Sequence, residues 1–78
     1  MMPVDHSIEK LQRERERMER LVRKLRNAGL AVNFQLSAEL NDAWVELERL
    51  LVLTEPHWSE MDLAIVRAKV LLERVHAS

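Results

Sequence analysis

Three features of the chain predict an all-α protein built from three helices. Leu, Glu, Arg, Val and Ala dominate, and 78 residues contain one glycine and two prolines, a composition that suits helices. Apolar residues recur at three- and four-residue spacing through three separate stretches. The breaks between these stretches hold Gly29 and Pro56, residue types that end helices. The expected helices cover about 6–28, 37–54 and 59–76. Residues 1–78 form one domain, in which a basic heptad helix (1–28) precedes a helical hairpin core (37–76). They are arranged either as a small bundle or as that hairpin with a long N-terminal arm.

The third helix organises the rest. Met61, Leu63, Ala64, Ile65, Val66, Ala68, Val70, Leu71, Leu72 and Val75 form a wide apolar face, with Arg67, Lys69 and Arg74 as a thin polar edge, so this helix needs cover on most of its circumference. Its start is marked by Ser59 as N-cap, by Asp62 in a variant of the capping box, and by Trp58, placed to staple onto Leu63.

In the first helix, Asp5 or Ser7 can cap the start, and Gly29 can stop the end in a left-handed conformation. Ile8, Leu11, Met18, Val22 and Leu25 take a and d positions of a heptad, with Arg15 intruding at one a position. An arginine there either snorkels to water or meets an acid. On the outer side Lys10, Arg13, Arg17, Arg20 and Lys24 form a continuous basic stripe. It is either a solvated face or a landing strip for phosphates or an acidic protein surface.

Ser37 can cap the second helix, whose apolar face is Leu40, Trp44, Leu47 and Leu51. Trp44 reads as a core or interface anchor. Glu39, Asp42 and Glu46 make an acidic row. Residues 1–28 hold eight Lys/Arg against five Asp/Glu, net +3, whereas 29–78 hold four against eight, net −4. This division invites the acidic row to lie against the first helix.

A monomer of this size hides only about 60% of the surface its unfolded chain exposes. With no cysteine, neither disulfides nor thiolate metal sites can add support, and oligomerisation is the remaining route. A homodimer is therefore expected, with Leu11, Met18, Val22, Trp44, Leu63, Val66 and Val70 as interface candidates. The uncharged stretch through 30–38 is far below the roughly 20 residues of a membrane span, and the start of the chain lacks the basic and apolar parts of a signal peptide. The expectation is a cytoplasmic protein with no membrane partner.

No catalytic or ligand motif stands out, and no enzyme activity, cofactor, metal or small molecule is expected. Asp42 and Glu46 lie one helical turn apart with Arg49 nearby, which reads as a solvated acidic face. His6, His57 and His76 lack a second ligand at metal spacing. A single glycine rules out a glycine-rich phosphate cradle.

The stretch 30–36 reads in two ways. Leu30, Val32, Phe34 and Leu36 alternate with Ala31, Asn33 and Gln35, the period of a short half-buried strand. The same residues also suit a loop entering the second helix, with Asn33 as its cap. If Val32-Asn33-Phe34-Gln35-Leu36 is a strand, residues 30–75 resemble the ribbon-helix-helix family of DNA-binding dimers. The resemblance also covers the apolar spacing of Leu40, Trp44, Leu47 and Leu51 and the helix start at Ser59-Glu60. It implies a dimeric strand pair in the major groove, with Asn33 and Gln35 reading bases and the amides at Ser59-Glu60 holding a phosphate. Two functional expectations follow. The first is a homo-oligomeric, non-enzymatic module that binds a protein partner, as adaptor, inhibitor, chaperone or assembly factor. The alternative is a ribbon-helix-helix transcriptional regulator.

Overall fold

A computed structural model of the chain describes residues 6–77, the side chains of His6 and Ser7 excepted. Three helices follow one another: α1 (His6–Ala28), α2 (Phe34–Leu51) and α3 (Trp58–Ala77). The fold is all-α, as the composition and periodicity require.

The core forms where the apolar stripes of the three helices converge. Met18, Leu21, Val22 and Leu25 come from α1, Leu36, Leu40, Ala43, Leu47 and Leu50 from α2, and Met61, Ala64, Ile65, Ala68 and Leu71 from α3. Among the described residues the buried set holds no polar or charged side chain. Each large aliphatic residue fully removed from water contributes about 1.5–3 kcal/mol, which offsets the ordering of a short chain. Ala43, Ala64 and Ala68 are buried members of this cluster, and their small side chains let the helix backbones approach.

Helix directions are fixed by contacts at both ends. Arg15 and Arg26 of α1 reach Leu53 and Trp44 respectively, so α1 and α2 run antiparallel. Glu39 meets Arg74 and Arg49 meets Glu60, so α2 and α3 are antiparallel as well. α1 and α3 are consequently parallel, with Lys10 level with Trp58. α1 packs on the core from Leu11 to Ala28. It is a full member of a bundle over that length and not an arm standing off a hairpin.

The stretch 30–36 is not a strand. Turn and bend residues follow α1, and α2 begins at Phe34, three residues earlier than Ser37 suggested. A cap marks the new start: Asn33 is extended and its side-chain oxygen accepts the Leu36 N–H at 2.9 Å, while the Ser37 N–H reaches the Asn33 carbonyl at 2.9 Å. That is an N-cap satisfying a free amide of the first turn. Leu36 thereby leaves the two-residue alternation and joins Leu40, Ala43 and Leu47 on the buried face. Leu30 and Phe34, which the alternation placed beside it, are exposed. Ser37 instead donates from Oγ to the Gly29 carbonyl at 3.3 Å, pinning the turn.

Other boundaries also depart from expectation. Gly29 does not take a left-handed conformation. The end of α1 tightens through bonds from Leu30 to Asn27 and from Ala31 to Ala28 at 3.3 and 3.2 Å, a 3₁₀-like closure. α2 ends at Leu51, with Val52 as its C-cap, a few residues short of Thr54. Asp5, expected as a cap for α1, lies outside the described residues, and Ser7, the other candidate, is already inside the helix, which includes His6. α3 begins at Trp58, its first bond running from the Met61 N–H to the His57 carbonyl at 2.9 Å, so Ser59 lies inside the first turn and is not the cap; the Trp58 staple fails as well, because Leu63 is exposed. Trp58 packs on the core cluster and lies under the Lys10 ammonium, 4.8 Å from the ring centroid.

Candidate functional site

Interface candidates read from the sequence fall into two groups. Met18 and Val22 are buried in the bundle, and Leu11 and Trp44 pack against it partly buried. Trp44 carries the Arg26 guanidinium 5.1 Å from its ring centroid, on the side of α2 that faces α1. These four are occupied within the chain. Leu63, Val66 and Val70 remain in solvent, 71, 57 and 49% exposed. They lie on one stripe of α3, opposite Ala64, Ile65 and Ala68, and are not brought together with Trp44.

The stripe arises because α3 carries more apolar residues than two neighbouring helices can cover. Ser59, Leu63, Val66, Val70, Glu73 and Ala77 follow four-three spacing along the outer face, the pattern of a coiled-coil seam. Its flanks are charged. Towards α2 stand Glu60, Arg67 and Arg74. Glu60 lies 3.7 Å from Arg49 and 3.2 Å from His57, and Arg74 lies 3.2 Å from Glu39. Towards α1 stand Asp62 and Lys69, and Lys69 borders a groove of about 670 Å³ lined by Leu21, Ala28, Leu72 and Val75.

α2 has its own exposed apolar row, Phe34, Val45 and Val52. Asn41 and Glu48 interrupt it at the intervening seam positions, so it offers no continuous apolar strip.

All five residues of the basic stripe are exposed. They lie on the shoulder of α1 nearest α3, as the Lys10–Trp58 contact and the position of Lys24 in the groove wall require. Lys10, Arg13 and Arg17 line a shallow depression with Glu14, which is 3.8 Å from Arg17. The acidic row does not complement this helix. Glu39 turns to Arg74 of α3, and Glu46 turns to Arg49 of its own helix, at 2.7 and 3.1 Å. Hydrogen bonding from Arg49 holds the Glu46 carboxyl below its ordinary value, against a smaller opposing effect of burial and with help from the Arg49 and Arg67 charges. Arg49 is raised in return.

Asn33 and Gln35 do not share a strand face. Asn33 is engaged as the α2 cap, and both it and Gln35 border a cleft with Leu36, Glu39 and Arg74. Among the described residues, no three His, Asp or Glu side chains gather at metal-holding distance.

No family model matches this chain, and no curated protein or solved structure does either. Among the described residues, no helix is long and apolar enough to cross a membrane.

Sequence reasoning missed the groove between α1 and α3. In the sequence its wall residues, Leu72 and Val75, read only as part of an apolar helix. The signal was present as the width of the α3 apolar face, but which part of that face α1 would leave open depends on how α1 packs.

Proposed function

We propose that this chain is a non-enzymatic helical interaction module that acts as a homodimer. In this reading the outer stripe of α3 joins two copies, and the basic shoulder of α1 receives an acidic protein surface. The observation that carries the proposal is the exposure of Leu63, Val66 and Val70 in seam spacing on a helix whose opposite face is already buried. A contiguous apolar strip rimmed by charge is the surface pattern of an association site. The basic stripe supplies charge complementarity, which governs encounter rate and choice of partner more than affinity.

Sedimentation equilibrium of the full chain tests this proposal. The wild type is expected to be dimeric at high micromolar concentration. Leu63→Glu is expected to be a folded monomer with an unchanged helical circular dichroism spectrum. A wild-type chain that remains a folded monomer at that concentration would refute the reading.

A further inference from the structure

The homodimer reading leaves open how the second copy is oriented, and the charges beside the α3 stripe decide it. We infer that two copies pair α3 against α3 in antiparallel fashion about a two-fold axis level with residues 64 and 65, Leu63 packing against Val66 of the second copy. The inference rests on the homodimer reading and adds its geometry.

Seam packing places the stripe of one helix into the stripe of the other and brings the flanking positions side by side. In an antiparallel two-fold pair each flank meets its own counterpart. With Leu63 against Val66 of the second copy, Val70 falls against Ser59 of the second copy, and Glu73, level with position 56 of the second copy, lies beyond the start of the helix it faces. On the α1 flank, Asp62 then lies within two residues, about 3 Å along the axis, of Lys69 of the second copy. On the α2 flank, Glu60 stands at the same offset from Arg67 of the second copy. Symmetry doubles each contact, giving four pairings of opposite charge at this offset, while Asp62 and Arg67 each stand about 7.5 Å along the axis from their own counterparts.

The parallel arrangement has no such consistency. A flanking residue there meets the one five positions ahead on the other helix. Asp62 would face Arg67, which is favourable, but Lys69 would face Arg74, which is not. Exposed ion pairs are individually weak, so their value here lies in setting orientation by penalising the alternative. The side chains are available for this role: Glu60 is about half exposed in its contact with Arg49, and Asp62, Arg67 and Lys69 are exposed.

One consequence concerns the basic shoulder. Because α1 lies on the Asp62 and Lys69 side of α3 and like flanks meet, the two-fold places both α1 stripes on one face of the dimer. The acidic partner surface would then meet two stripes together.

The chain contains no cysteine, so Ala77→Cys gives a single spin-label site on the exposed end of α3. The antiparallel dimer predicts a label separation of about 37 Å along the axis, whereas a parallel one would bring the labels to roughly 10 Å. In sedimentation equilibrium, Asp62→Lys should weaken the dimer about tenfold, and Asp62→Lys combined with Lys69→Asp should restore it. Mixing Asp62→Lys with the single variant Lys69→Asp should give a heterodimer tighter than either homodimer. A short label separation, or a dimer indifferent to Asp62→Lys, would overturn the antiparallel register while leaving the homodimer reading standing. A wild-type chain that does not dimerise would overturn both.

Discussion

Arg15 donates through Nη2 to the carbonyl of Leu53 at 2.9 Å, joining residues 38 apart in sequence. The carbonyl belongs to the segment just past the end of α2, where helix carbonyls lack partners and the dipole is negative. An arginine at a core-facing heptad position thus meets a backbone carbonyl. Arg15→Met keeps the aliphatic stem and removes the donor. It is expected to destabilise the fold by about 1–2 kcal/mol, read as a lower urea midpoint with an unchanged slope. A midpoint equal to that of the wild type would show that water replaces the contact without cost.

Asn33 is predicted to act on stability. Asn33→Ala removes the acceptor for the Leu36 N–H and should cost about 1 kcal/mol. Asn33→Asp should retain most of that stability. Gln35→Ala, on the exposed side of the same turn, should shift the midpoint by less than about 0.5 kcal/mol. Chemical denaturation of the three variants checks the ranking. Equal effects at Asn33 and Gln35 would contradict the cap.

Met18 lies at the centre of the bundle and is fully buried. Met18→Ala should cost about 2–5 kcal/mol through lost transfer energy and the cavity left behind. Because its contacts lie within one chain, the loss measured on monomeric protein should not depend on protein concentration. The effect of Leu63→Glu on apparent stability should appear only where the wild type is dimeric, by mass action. Thermal unfolding at two concentrations separates the two residues.

Glu46 supplies a pH dependence whose sign is fixed by its depressed folded value. Its contribution is present above the ordinary glutamate value of 4.5 and is lost as pH falls through the lower folded value, where the carboxylate takes up a proton. The pair is exposed and therefore weak, and salt screens it. Glu46→Gln should be slightly less stable than the wild type at neutral pH and low salt, and indistinguishable from it in strong acid. Paired denaturation curves at the two pH values test this. A difference that grows on acidification would contradict the assignment.

Much of the fold could be read from the sequence. The stripe of Met18, Val22 and Leu25 and that of Leu40, Leu47 and Leu50 follow from helical periodicity, and any compact arrangement must bury them. The excess apolar width of α3 was equally visible, since Leu63, Val66 and Val70 cannot share a face with Ala64 and Ala68. The sequence could not say which residues of that helix would stay in solvent, because the answer depends on how much of its circumference two neighbours can cover. The same limit applied to 30–36, where the residues suit both a strand and a loop that enters the second helix with Asn33 as its cap. Tertiary packing decided between them by drawing Leu36 into line with Leu40 and leaving Leu30 and Phe34 outside. It also sent Glu39 to Arg74 rather than to α1, since α2 turns that flank towards α3. Periodicity is a property of one helix at a time and is written locally. The choice of neighbour is made only when three helices compete for the same buried area.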